Sequence, residues 1–435
     1  MLKGRKIPKE KTIDQTLTLL SEGYNYLPNR TYRANANLFQ TRLLGQKVIC
    51  ITGEEAARAF YDEERFIRKP AIPKRIQKAL FGEHGVQVLD DEEHKHRKAM
   101  FMSFMTHESL GRLETIARRE FQAAAESWIK EQEIVLLEEA KVVLCRIACE
   151  WAGVPLYEDE ERERAEQLFD LVDSIGGVGP RYQRGRKARK NTEKWVADLI
   201  RQVRDGQLSP SEDTALFIMA HHTELDGELM EPEVAAVEVI NIIRPTVAIS
   251  YFIVFGALAL HEHPSVRARL REDDGVYSKM VVQEIRRYYP FAPMLGARVR
   301  TDFLWEGYAF KKGTLVLLDL YGTNHHPDLW ENPEEFNPDR FKDWKKSPFD
   351  FIPQGGGDYD KGHRCAGEWA TVKVMQIVME LLAQELEYEV CEQDLTYSMV
   401  RIPTYPESGF RMRILNLKPK AMNRYVDKHD GHAYK

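Results

Sequence analysis

Cysteine is scarce: the 435-residue chain has five, Cys50, Cys145, Cys149, Cys365 and Cys391, and no C-x-x-C pair. An odd, scattered set excludes a disulfide scaffold and a structural zinc site. Cys145 and Cys149, four apart, read as two apolar residues on a core helix face. Pro/Ser/Gly linkers and internal repeats are also lacking, so a single domain spanning 1–435 is expected. The longest apolar run, 246–260, follows Arg244-Pro245 and is short for a bilayer span. The opening residues, Met1-Leu2-Lys3-Gly4-Arg5-Lys6, hold no apolar segment, so neither a signal peptide nor a membrane anchor is expected. With 43% hydrophobic residues, 30% charged residues and a net charge of −6, the expectation is a soluble cytoplasmic protein with a substantial core.

Two further classes fall away. The pairs His94/His96, His221/His222 and His261/His263 lack carboxylates at ligand spacing, so no separate metal centre is expected. A basic run (Arg181, Arg184, Arg186, Lys187, Arg189, Lys190) comes without a zinc or helix-turn-helix signature. It reads as a solvated helix face that helps attract anions, not as a nucleic-acid site.

Amphipathic periodicity predicts helices over roughly 108–130, 134–152, 160–175, 185–205, 230–261 and 278–288. Extended residues around a Gly-Gln turn predict a hairpin over 39–51, and a second β region spans 303–318. A further strand pair is expected near 400–415. The fold class is therefore mainly α with a small β-rich region.

What is present is concentrated around Cys365. From Phe351 to Gly367 the chain reads F-I-P-Q-G-G-G-D-Y-D-K-G-H-R-C-A-G, placing five glycines, His363 and Arg364 about one cysteine ahead of a helix-forming run. Glycines permit close approach to a flat ligand and positive φ. The dipole of the following helix favours the thiolate. Upstream, Glu284 and Arg287 are spaced to pair on one helix face, and Arg340 in Asn337-Pro338-Asp339-Arg340-Phe341 can close a three-member ion network.

Helix Glu-x-x-Arg, then Pro-x-Arg-Phe, then a glycine-rich cysteine loop: this order resembles the cytochrome P-450 superfamily of haem-thiolate enzymes. That resemblance implies the superfamily's fold and haem b ligated through Cys365. His94, Lys98, Arg298 and His363 are the implied cations for the haem propionates. Asp358-Tyr359-Asp360-Lys361 lengthens the cysteine loop beyond the general superfamily pattern.

The helix around Ala235 to Ile249 is apolar on nearly all faces, yet it carries Arg244 followed by Pro245. A mid-helix proline costs about 3 kcal/mol, and a buried guanidinium is costly unless an anion meets it. Pairing with a protein carboxylate such as Glu238 is one explanation. In the superfamily an acid-alcohol pair normally stands at this place. The Arg-Pro replacement resembles the fatty-acid peroxygenase branch, as do Leu80-Phe81-Gly82, His94-Lys95-His96-Arg97-Lys98 and Leu318-Asp319-Leu320-Tyr321-Gly322. This resemblance implies that Arg244 binds a long-chain fatty-acid carboxylate, which serves as general acid/base toward hydrogen peroxide. Hydroxylation at the α or β carbon follows, with no redox partner required. Leu80, Phe81 and Phe291 are the implied acyl-channel residues. Gln87 stands where alkene-forming members carry histidine, with His84 close by. Three other outcomes stand beside this reading: decarboxylation to terminal alkenes, a redox-partner-dependent monooxygenase, and a non-catalytic haem-binding protein.

Overall fold

The computed structural model describes residues 4–10, 13–69, 71–273 and 275–418. Helices dominate, and most of the expected ones form: His107–Trp128, Leu136–Ala152, Glu161–Asp173, Pro180–Arg204 and Val276–Tyr288. The stretch expected as one helix over 230–261 is two, Pro232–Val247 and Ile249–Glu262, meeting at Ala248. The break lies three residues beyond Pro245, whose missing N–H removes the upstream rung to the Asn241 carbonyl. Together the two helices make a 31-residue apolar rod, but 94% of its most apolar window is buried in the protein, as suits a core helix.

The Pro232–Val247 half packs against Pro180–Arg204 and Leu136–Ala152. The Ile249–Glu262 half packs against the helix that follows the cysteine, Glu368–Glu380. One large apolar cluster runs through all of these elements, with Leu144, Ile240, Phe255 and Met375 inside it.

The β residues form three sheets among the described residues. The largest orders Leu38–Leu43, Gln46–Ile51, Leu315–Asp319, Met294–Val299 and Phe66–Ile67 side by side. The first hairpin turns at Leu44-Gly45, not at the Gly-Gln pair: both turn residues have positive φ, 49° and 73°, as a tight two-residue turn requires. Near the C-terminus the expected local pair is one strand, Arg411–Leu417, whose partners are the distant Leu386–Val390 and Ile134–Val135.

Helix Val276–Tyr288 fixes the geometry under the cysteine loop. Glu284 is fully buried and meets Arg287 at 2.7 and 2.8 Å. Arg340 Nε closes the network on Glu284 Oε1 at 3.1 Å, beside the Asn337 amide at 2.7 Å. Arg287 also donates to the Asn324, Pro333 and Glu335 carbonyls, tying its helix to two further segments. A buried charge needs this degree of satisfaction.

Candidate active site

The loop from Phe351 to Gly367 turns on Gly355 and Gly357, at φ +88° and +84°, where an L side chain would be strained. Its backbone returns on itself through Cys365 N–H to the Gln354 carbonyl at 3.2 Å. The Asp358–Lys361 extension folds into the same loop: Asp358 caps the Asp360 and Lys361 amides, and the Tyr359 hydroxyl donates to the Ala366 carbonyl at 2.7 Å. Helix Glu368–Glu380 then leaves directly from the cysteine turn.

Burial pushes the Cys365 thiol up, against the pull of Lys98. A metal ion bound here would hold the thiolate, because binding deprotonates the thiol outright.

On one flank of this loop stand four basic side chains. The His94 and His363 rings stack at 3.7 Å, and Lys98 Nζ donates to the Arg364 carbonyl at 2.6 Å. Arg68, not picked out in the sequence, completes the group: burial first, and then charges that include its own, depress both histidines, and it is itself only 7% exposed. Burial brings His94 down to about 4 and Lys98 down to about 8. His94 Nδ1 is buried with no hydrogen-bond partner, and Arg68 and Lys98 donate to backbone carbonyls, of Phe60 and Arg364. The fourth sequence candidate, Arg298, pairs across the strands with Ile67, the residue before Arg68. Arg298 alternates with buried Ala297 and Val299 on its strand, and its guanidinium donates to the Gly313 carbonyl and Gln46.

Arg244 is 4% exposed. Its Nη1 donates to the Leu80 carbonyl at 2.9 Å, Nη2 donates to Asn241 Oδ1 at 3.0 Å, and Nε has no partner. The guanidinium lies 5.6 Å from the Phe81 ring. Pairing with Glu238 does not occur. That carboxylate is taken by Arg97 at 2.7 Å and by the Asn241 amide at 2.8 Å. Burial, reinforced by Arg189, brings Arg244 down to about 9, while Cys365 pulls it the other way. Pro245 retains accessible surface although its neighbours Arg244 and Thr246 are buried.

Asn241 is the second residue that the sequence did not announce, although it sits three before Arg244 on the same helix face. It also donates to Gln87 Oε1 at 3.4 Å, drawing Gln87 into the Arg244 network, while His84 is exposed. Leu80 and Phe81 lie on this side through the turn Gln77–Phe81. Phe291 packs against Phe252 and Tyr251 at 5.0 and 5.7 Å.

The basic run needs one correction. Arg184, Arg186, Lys187 and Lys190 are exposed as expected, but Arg189 is 3% exposed. It donates to the same Leu80 carbonyl as Arg244, at 2.9 Å, and pairs with Glu193 at 2.6 Å. Alanine and threonine neighbours turn this edge of the helix inward.

Haem suits this donor set. Cys365 offers a sulfur, and Gly367 leaves room beside it, since a Cβ there would stand 4.0 Å from Sγ. The basic group of Arg68, His94, Lys98 and His363 has spare donors for two propionates.

Comparison with known proteins agrees. Residues 25–401 match the family model described as Cytochrome P450. The fold is similar to cytochrome P450EX alpha (CYP152N1) with myristic acid, at TM-score 0.91 and 50% identity, covering 94% of this chain and 99% of that one. It is similar also to a variant of cytochrome P450SP alpha (CYP152B1), at TM-score 0.91 and 42% identity, covering 93% and 100%. A cytochrome P450 OleT variant in complex with arachidonic acid matches at TM-score 0.93 and 36% identity, covering 96% and 100%. Among curated sequences, protopanaxadiol 6-hydroxylase of Panax ginseng is 24% identical over 94% of this chain and 93% of its own length. The chain belongs to the cytochrome P450 family of haem-thiolate oxidoreductases, in its fatty-acid peroxygenase branch.

Proposed function

We propose that this protein hydroxylates long-chain fatty acids at the α or β carbon with hydrogen peroxide, as a cytoplasmic enzyme that needs no redox partner. The observation that carries this reading is Arg244: a buried guanidinium with no carboxylate partner and a free Nε. Such a group is stable only if an anion completes it, and a fatty-acid carboxylate has the geometry to do so. The similar structures with myristic acid and with arachidonic acid support this substrate class.

The chain's own groups then divide the work. Leu80 and Asn241 hold two guanidinium nitrogens, leaving the remaining donors for the substrate. One carboxylate oxygen is fixed on Arg244, and the other is free to take a proton from peroxide and return it to the departing oxygen. The acid thereby supplies the general acid/base that the Arg244-Pro245 helix does not carry. Haem b, bound through Cys365 with its propionates on Arg68, His94, Lys98 and His363, would supply the iron at which peroxide is cleaved. Tethering the carboxylate at Arg244 confines reaction to the carbons beside it.

Two tests follow. Arg244 is cationic below about 9, and the substrate is anionic above the ordinary carboxylate range, about 4.3 for a Glu side chain. Fatty-acid affinity, read from the substrate-induced Soret shift, is therefore expected to hold between these limits and to fall about tenfold per pH unit above the upper one. A methyl ester of the same chain length should give neither the shift nor product. Equal binding of ester and acid would overturn the role of Arg244.

Gln87 is the proposed determinant of hydroxylation over alkene formation, through Asn241 and the Arg244 network. An imidazole exchanges protons near neutral pH, which an amide does not. Gln87→His is expected to raise the share of terminal alkene in the product mixture. Unchanged product ratios in the folded variant would assign that choice to other residues.

A further inference from the structure

Behind the cysteine loop, one amide has its direction fixed by charge. Gln354 Oε1 accepts from Arg286 Nε at 3.1 Å and Nη2 at 2.8 Å. A guanidinium has donors only, so the atom facing Arg286 must be the oxygen. The amide nitrogen therefore faces the other way, where it lies 3.2 Å from Thr371 Oγ1 and 3.8 Å from Cys365 Sγ. Arg286 cannot swing aside. It is 1% exposed, pairs with Glu368 at 2.7 Å and bonds Gln283. Glu368, 2% exposed, is held in turn by Arg364 at 2.6 Å. The Gln354 carbonyl also accepts the Cys365 N–H, pinning the two residues side by side.

We infer that Gln354 is a positioning residue for the proximal sulfur, its Arg286-oriented side-chain N–H donating to Cys365 Sγ and limiting electron donation from the thiolate to iron. The inference rests on haem ligation by Cys365 as read above. A hydrogen bond to a ligating sulfur spreads its charge and raises the reduction potential of the centre. A buried cation on the far side of the amide polarises that bond further.

The test uses haem-loaded protein and two substitutions. Gln354→Met removes the N–H without adding charge and keeps an unbranched side chain of similar volume. Gln354→Glu keeps the shape and pairs with Arg286, but in that pair it donates nothing to sulfur. Both are expected to move the haem reduction potential negative and the Fe–S stretching frequency, by resonance Raman, upward. Unchanged values in both variants would overturn the inference. A shift in the glutamate variant alone would also overturn it, because charge and not the hydrogen bond would then be the cause. Failure of the underlying ligation shows separately, as absence of the thiolate-type ferrous–carbonyl Soret band in the parent protein.

Discussion

Arg244→Leu is expected to lower peroxide-driven turnover of long-chain fatty acids by about 10²–10⁴-fold, the range for losing a positioned general acid/base. The carboxylate that carries the proton is held by Arg244 and nothing else charged at hand: Glu238 belongs to Arg97, and Arg189 is paired with Glu193. Leucine leaves the Leu80 carbonyl with its Arg189 bond and leaves Asn241 Oδ1 without a donor. One buried acceptor unmet costs about 1–3 kcal/mol. Removing an unpaired buried cation acts in the opposite direction. The variant should therefore fold and load haem while losing its fatty-acid-induced spectral shift. Arg244→Lys keeps a charge but presents a point donor on a shorter reach, so partial binding with poor turnover is expected. Parent-level turnover by a folded Arg244→Leu enzyme would remove the substrate-carboxylate mechanism.

The second large effect concerns the scaffold. Glu284→Gln is expected to destabilise the protein by about 3–5 kcal/mol, because it strips the shared anion from two guanidiniums. Glu284 is 0% exposed, and the side chains of Arg287 and Arg340 are 0% and 9% exposed. An amide can accept from one of them while turning its own donors on the other. The expected readout is a lowered thermal midpoint and a poor yield of haem-loaded protein. Lys311→Ala is the control. Its pair with Asp302 is exposed at 41% and 44%, so its loss should cost about 0–1 kcal/mol. Equal effects from the two substitutions would contradict the burial argument.

The sequence disclosed those parts of the site that depend on neighbours along the chain. Glu284 and Arg287 share a helix face by spacing alone, and the glycines about Cys365 announce a tight loop. Partnerships across elements were not legible. Arg68 follows a two-residue strand with no pattern of its own, and it reaches His94 and His363 only through tertiary packing. Gln354 looks like one more polar residue among glycines until Arg286 fixes its direction. Arg189 sits in a run of cations, and nothing local distinguishes it from exposed Lys190. Asn241 was open to discovery by helical spacing, but its ability to bridge Glu238, Gln87 and Arg244 depends on the turn at 77–81 and the segment at 86–88 lying across that helix. In the sheets, the C-terminal strand pairs with segments far away in sequence, where periodicity carries no information.

The most direct measurement is a product analysis of haem-loaded protein with a saturated long-chain fatty acid and hydrogen peroxide, in the absence of any reductase. The account predicts hydroxy acids substituted at the carbons next to the carboxylate. Oxidation toward the chain end, or product only when an electron-transfer partner is supplied, would contradict it.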